Sequence, residues 1–167
     1  MAVEAIRQVL KAQPKAKILV SCPSNAACDV VTQRLDMNKS ELFRLMAPSR
    51  SKTKDIPAKV LENTFTGEHG SFAVYPLEKI KNFRVIVCTC ISASVLHGIG
   101  LAAGHFSHIV VDEAGQALES EVMIPLQYST ESTKEILCGD PKQVSCKHRS
   151  LRKAADHDLA ARSYCPL

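Results

Sequence analysis

The sequence predicts an α/β fold built on a parallel sheet, and two observations favour this class. Short apolar runs rich in β-branched residues alternate with stretches of helical periodicity, as in βαβ units. These runs also end in residues typical of turns or ligand contacts. The clearest run is 109–111 (Ile-Val-Val), which suits a strand buried on both faces and stops at Asp112 and Glu113.

The composition is typical of a globular domain with a mild positive charge. The 167 residues are 46% hydrophobic and 23% charged, enough for one domain with a substantial core. No apolar stretch has the length of a membrane span, and the first residues lack a signal-peptide pattern, so a cytosolic or nuclear location is expected. The net charge of +4 permits a nucleic-acid partner without requiring one.

The cysteines indicate reduced core residues rather than a disulfide framework. There are seven of them, an odd number, and their spacing is irregular. Cys22, Cys88, Cys90 and Cys138 fall in or beside predicted strands, where a thiol packs as a small hydrophobe. The pair at 88 and 90 lacks zinc-finger spacing, and no second pair follows it.

In the amino-terminal part, helical periodicity predicts a first helix over residues 2–12, which Pro14 ends. The apolar run 18–20 predicts a buried strand, followed by a helix that extends to Leu35. A shorter strand is predicted at 43–46.

Between residues 47 and 82 the periodicity fails. Lysines, prolines and glycines with few apolar runs predict an irregular surface insertion, with short helices near 56–61 and 77–81. Insertions of this length in a compact domain are usually functional or poorly ordered.

After residue 82 the alternation of predicted strands and helices resumes. Strands are predicted at 84–89, before Asp112, and at 134–138, with a short helix near Ser92 and a longer one at 119–126.

The predicted organisation is one domain over residues 1–143 and a basic tail over 144–167. The tail carries five basic residues or histidines between 147 and 153, and a helix is predicted near 151–161. A solvated charged face is a better explanation of this tail than contact with phosphates.

Four strand ends carry chemically useful residues, and in a parallel sheet these ends meet at one edge. They are Pro23-Ser24-Asn25, Thr89 with Ser92, Asp112-Glu113 and Gly139 to Gln143.

Each of these groups has a chemical and a structural interpretation. Adjacent acids can divide their work, one holding Mg²⁺ and the other polarising a water molecule. Hydroxyl and amide donors suit contacts with phosphate and sugar, and Gln143 can report on a terminal phosphate or hold a water. The structural alternatives are helix capping by Asp112, Ser24 or Asn25, β-propensity for Thr89, and turn formation at 139–141.

The order of these groups resembles the motif order of the first RecA-like domain of Upf1-like superfamily 1 helicases. The branch it resembles most is the Moloney-leukaemia-virus-10 and Armitage group of RNA helicases. The most specific feature is Asp-Glu-Ala-Gly at 112–115 paired with Gly-Asp-Pro-Lys-Gln at 139–143. The other similar stretches are 3–6 (the helix after the phosphate loop), 18–29 (motif Ia), 43–50 (typical of the branch), 87–93 (motif Ic) and 110–116 (motif II).

The resemblance implies an ATP-dependent RNA helicase with ATP and Mg²⁺ as cofactors. Asp112 would bind the Mg²⁺-nucleotide, Glu113 would activate the hydrolytic water, and Gln143 would sense the γ-phosphate. The nucleotide site would also include Gly139 and Asp140, and single-stranded RNA would run along Pro23, Ser24, Asn25, Thr89 and Ser92. The branch implies RNA-silencing partners and a cytoplasmic location, including ribonucleoprotein granules.

The sequence departs from the family pattern in three places. No phosphate loop of the form Gly-x-x-x-x-Gly-Lys-Ser/Thr occurs in the 167 residues, and the second RecA-like domain with its arginine finger is not found. After Gln143 the chain has Val-Ser-Cys where the family has Leu-Gly-Pro or Leu-Pro-Pro. We therefore expect an incomplete RecA-like domain that lacks the phosphate-loop strand and exposes an apolar sheet edge.

Two functions stay open on this evidence. The chain is a fragment of an RNA helicase that hydrolyses ATP barely or not at all by itself, or it is a non-catalytic RNA-binding or regulatory module derived from one. A nucleotide-binding switch ATPase is less well supported, because it needs the same loop.

Overall fold

The computed structural model describes residues 1–50, 56–67 and 70–140. In these ranges the strands are β1 (Ile18–Cys22), β2 (Leu42–Arg44), β3 (Val85–Thr89), β4 (His108–Val111) and β5 (Lys134–Leu137). The helices are α1 (Ala2–Ala12), α2 (Asn25–Leu35), α3 (Ala58–Glu62), α4 (Leu77–Ile80), α5 (Ser94–Gly98) and α6 (Glu119–Leu126), with 3₁₀ turns at Ile91–Ala93 and Ala114–Gln116.

The described strands form one sheet in the order β2-β3-β1-β4-β5, and every neighbouring pair is parallel. The predicted α/β class with a parallel sheet is confirmed. The predicted strands and helices are all present in the described ranges, although the strand expected at 43–46 is Leu42–Arg44. Gln143 and the predicted helix at 151–161 lie outside the described residues.

The core lies on both faces of the sheet because strand side chains alternate between faces. On one face Ile18, Val20 and Val110 pack against α1 and α2. On the other face Leu19 and Ile109 pack against a cluster rich in aromatic side chains, which includes Phe43, Phe83, Phe106 and Tyr128. The sheet is therefore the middle layer of the described fold.

The segment between β2 and β3 differs from the irregular surface insertion that the sequence predicts. The two short helices are present as α3 and α4, but Ile56, Val60 and Phe72 are buried against Met46. Phe65 and Tyr75 stack with ring centroids 4.1 Å apart. The short helix near Ile56 and Val60 could be predicted, but its packing against Phe72 and Met46 joins separate parts of the chain, so the sequence pattern did not reveal it.

The β5 edge is the least buried part of the sheet. Only Ile136 of its four residues is partly buried, and Leu137 is 58% exposed. Among the described residues β5 pairs with β4 alone, and its exposed side chains are both charged and apolar, so the expected apolar edge stays a prediction. No helix of the described residues is both long and apolar enough to cross a membrane.

Candidate functional site

The carboxyl ends of the strands meet at one edge, as the sequence predicts. Cys22 pairs with Thr89 in register, and Val111 lies between Ser21 and Leu137. The Asp112 amide N–H donates to the carbonyl of Ser21 at 2.9 Å, which continues the ladder to the first of the two acids. The edge thus joins the predicted RNA-contacting residues to the predicted nucleotide residues.

An open cleft of about 530 Å³ lies beside the end of β4. Four of the sequence-predicted nucleotide residues line it, namely Asp112, Glu113, Gly139 and Asp140. The other lining residues are Met1, Ala26, Ala27, Val30, Arg34 and Cys138, most of them on α2 or at the start of α1. The cleft therefore combines carboxylate oxygens with an apolar wall.

Glu113 has an uncommon backbone conformation. Its φ of 58° and ψ of 34° lie in the left-handed region, which residues other than glycine seldom adopt and which clusters at functional sites. Gln116 Nε2 donates a hydrogen bond to Glu113 Oε2 at 2.7 Å, so the carboxylate is held in place. The following 3₁₀ turn begins after Glu113 and has no side-chain cap, so the alternative interpretation of Asp112 as a helix cap is wrong.

Two glycines bring the loops after β4 and β5 into backbone contact. A Cβ on Gly139 would lie 2.8 Å from the Gly115 amide nitrogen, and a Cβ on Gly115 would lie 3.2 Å from the Asp140 carbonyl oxygen. The Ala114 amide also donates to the Cys138 carbonyl at 2.7 Å. A side chain at Gly139 would force the backbone of the two loops apart, and one at Gly115 would be tightly packed, so the two glycines allow this close approach of the acids to Asp140.

The acidic residues are suitable ligands for a Mg²⁺-nucleotide. Mg²⁺ in such sites is held by one or two carboxylates together with phosphates and waters, rather than by a full protein cage. Asp112 supplies such a carboxylate at the cleft, and the described residues contain no group of three or more potential ligands that would form a cage. Burial and the nearby Asp112 charge raise the pKa of Cys138, which keeps that thiol neutral.

On the other half of the edge, the predicted RNA-contacting residues differ in how available their polar atoms are. Ser24 is the N-cap of α2, and its Oγ accepts from the Ala27 amide at 3.2 Å. Thr89 Oγ1 donates to Ser92 Oγ at 2.8 Å and accepts from the Ser92 amide, and Ser92 is only 8% exposed. Asn25 is exposed, as is Ser24, so these two residues are the accessible members of the set.

The sequence pattern did not predict the hydrogen-bonded cluster of Asp29, Arg44 and Arg50. Arg44 lies within a strand and is completely buried, which apolar periodicity does not predict. Its partner Asp29 is on α2, 15 residues earlier in the chain. The sequence did offer one signal for this cluster, since an arginine within a short apolar run is expected to be buried. A buried charge requires a partner, so an acidic residue nearby could have been expected.

Comparison with known proteins finds related helicases. Residues 74–146 match the AAA domain family. Over 85% of its length the chain is 40% identical to the putative helicase mov-10-B.1 of Danio rerio and 39% identical to RNA helicase Mov10l1 of Homo sapiens. Over the same share it is 30% identical to the probable RNA helicase armi of Drosophila melanogaster.

The chain is therefore a relative of the Mov10 and Armitage helicases over 85% of its length. It spans 14%, 12% and 14% of the length of the three helicases named above. The described parallel sheet with its flanking helices has the α/β architecture that the resemblance implied, and the extent of the RecA-like domain stays a prediction.

Proposed function

We propose that this chain forms part of the ATP- and RNA-binding core of an ATP-dependent RNA helicase. The observation that carries the proposal is the position of Asp112 and Glu113. They follow the buried strand β4, line an open cleft, and lie between Gly139–Asp140 and the exposed start of α2. A nucleotide and an RNA strand bound on one sheet edge can influence each other over a short distance.

In this proposal each acid has a separate role. Asp112 would hold the Mg²⁺ of the bound nucleotide, and the metal would neutralise charge that develops on the phosphates. Glu113 would orient the attacking water and accept its proton, with Gln116 holding the carboxylate through the 2.7 Å hydrogen bond. Gly139 and Asp140 would border the nucleotide, and Gln143 would sense the γ-phosphate.

The RNA would bind along the ends of β1 and β3. Ser24 and Asn25 offer exposed polar groups there, and Pro23, Thr89 and Ser92 shape the adjoining surface. Contacts of this kind bind phosphate and sugar and carry no base sequence. The relatives' names as RNA helicases support RNA as the partner. RNA-silencing partners and a cytoplasmic setting are proposed from the sequence resemblance alone.

A second candidate function is a non-catalytic RNA-binding or regulatory module. The observation in its favour is that the 167 residues contain no Gly-x-x-x-x-Gly-Lys-Ser/Thr loop, whose backbone amides and lysine bind the phosphates in related NTPases. Sequencing the transcript upstream of the Met1 codon separates the two functions. An in-frame loop of this form supports the helicase, and a stop codon there supports the module.

The 167-residue chain itself allows a direct test. We expect it to bind single-stranded RNA, and to release phosphate from ATP hardly faster than its Glu113→Gln variant, because the loop lysine and arginine finger supply much of the rate. The measurements are RNA binding by fluorescence anisotropy and RNA-stimulated phosphate release. Absence of RNA binding would contradict both candidate functions. RNA-stimulated turnover that Glu113→Gln abolishes would contradict the module and the expected low activity of the isolated chain.

A further inference from the structure

A buried group of charged side chains connects α2 to the end of β2. Arg44 is completely buried, and its Nε donates to Asp29 Oδ1 at 3.1 Å. Arg50 donates to both oxygens of the same carboxylate, from Nη1 at 3.1 Å and from Nη2 at 2.6 Å. One carboxylate thus faces two guanidinium groups, so the cluster Asp29–Arg44–Arg50 carries one surplus positive charge.

The same two guanidinium groups hold the side chain of Asn25. Arg44 Nη2 donates to Asn25 Oδ1 at 2.9 Å, and Arg50 Nη1 donates to it at 3.3 Å. Guanidinium nitrogens only donate, so the atom that faces them must be the amide oxygen and not the amide nitrogen. This fixes which way the Asn25 amide is turned.

The consequence is a donor that points away from the cluster. Asn25 is the first residue of α2 and is exposed, and its Nδ2 lies on the opposite side of the amide from Oδ1. Within the described ranges no protein acceptor takes a hydrogen bond from this nitrogen. An amide held in this way presents two N–H groups at the RNA-facing edge without an ordering cost on binding.

We propose that Arg44 and Arg50 are positioning residues that turn the Asn25 amide so that its N–H groups donate to a phosphate of bound RNA. The surplus positive charge of the cluster favours that phosphate at the same place. The inference rests on the proposed RNA-binding function. It adds which residues hold the Asn25 amide in the orientation that binds RNA.

The deciding substitution is Asn25→Asp. The side chain keeps its shape and its acceptor for both arginines, and it balances the second guanidinium charge, so the melting temperature should not fall. It loses the donor and places a negative charge against the phosphate. A hydrogen bond to a charged group of this kind corresponds to about tenfold or more in affinity, so the dissociation constant for RNA should rise at least about tenfold.

Arg50→Lys tests the positioning role separately from charge. Lysine keeps the positive charge but lacks the planar fork that bonds Asp29 and Asn25 together. We expect weaker RNA binding with an unchanged salt dependence, since no phosphate contact is removed. In an Asn25→Ala background, Arg50→Lys should have no further effect on affinity, because the amide that it positions is absent.

The experiment is a titration of the full 167-residue chain against fluorescein-labelled oligouridine over a series of salt concentrations, with a thermal melt of every variant. Asn38→Asp is the matched control, because it introduces the same charge at an exposed position ahead of β2, at the opposite edge of the sheet. It should leave the affinity within about twofold of wild type.

The outcomes separate this inference from the proposed function. If the wild-type chain does not bind oligouridine, the proposed function fails and the inference fails with it. If wild type binds and Asn25→Asp binds equally well, only the inference is overturned. It is also overturned if Arg50→Lys weakens binding as much in the Asn25→Ala background as in wild type, since Arg50 would then act without Asn25.

Discussion

At the scale of single residues, His105 gives the clearest expectation about pH. Its Nε2 is buried and has no hydrogen-bond partner among the described residues, and its ring meets Phe106 edge-on at 4.9 Å. Desolvation, followed by the charges of Lys17 and Lys81, lowers the pKa of His105 to about 4 from the ordinary 6.5. The folded state therefore favours the neutral ring.

The sign of the pH effect follows from this shift. Between pH 6.5 and 4 the unfolded chain binds a proton that the folded chain does not, so His105 contributes stability above pH 6.5 that is lost as the pH falls toward 4. The ring is partly exposed, so we expect a loss of about 1 to 2 kcal/mol after solvent screening. Urea unfolding at several pH values measures it.

His105→Gln is the comparison, because its amide does not titrate in this range. The variant should lose less stability than wild type between pH 6.5 and 4, while His108 contributes equally to both proteins. Parallel pH profiles for the two proteins would contradict the assignment of the effect to His105.

At the scale of elements, the contact between the loops after β4 and β5 determines the shape of the cleft. Gly139→Ala would place a Cβ 2.8 Å from the Gly115 amide nitrogen, and this neighbour is backbone that cannot rotate away. Overpacking of this kind costs about 1 to 3 kcal/mol, so the variant should unfold at a lower urea concentration. Circular dichroism during a urea titration measures the unfolding midpoints of wild type and of Gly139→Ala.

Gly98→Ala is the control for this substitution. Gly98 is the last residue of α5, and nothing lies within 4 Å of a Cβ built there. Alanine is the better helix former, so this variant should be as stable as wild type or slightly more stable. An equal loss of stability in both variants would mean that the loop contact is not what Gly139 provides.

The elements of this fold follow from local sequence to a greater extent than the candidate site does. The strands around Val20, Ile86 and Val110 are continuous apolar runs that suit a sheet buried on both faces, so both their positions and their shared edge could be predicted. The ion pair between Asp29 and Arg44 could not be predicted, because the two residues are 15 positions apart and no sequence periodicity relates them.

At the scale of the whole described molecule, the sheet and the layers on its two faces should unfold together. Cys22 and Cys28 lie in the core on the α1 and α2 face, and Cys88 lies in the core on the other face. All three are 0% exposed, and Cys90 is 1% exposed. Burial raises the pKa of Cys88 and of Cys90 to about 12, so each is an unreactive thiol in the folded state.

Thiol labelling therefore reports on each face separately. We expect iodoacetamide at mildly alkaline pH to spare Cys22, Cys28, Cys88 and Cys90 in the folded chain. Among the five cysteines of the described residues, the partly exposed Cys138 should react first. In rising urea the four buried thiols should become reactive at one midpoint, which peptide mass spectrometry resolves, because β1 and β3 pair along their whole length and join the two faces. Labelling of Cys22 and Cys28 at a lower urea concentration than Cys88 would instead show that the α1 and α2 layer separates from the sheet before the other face unfolds.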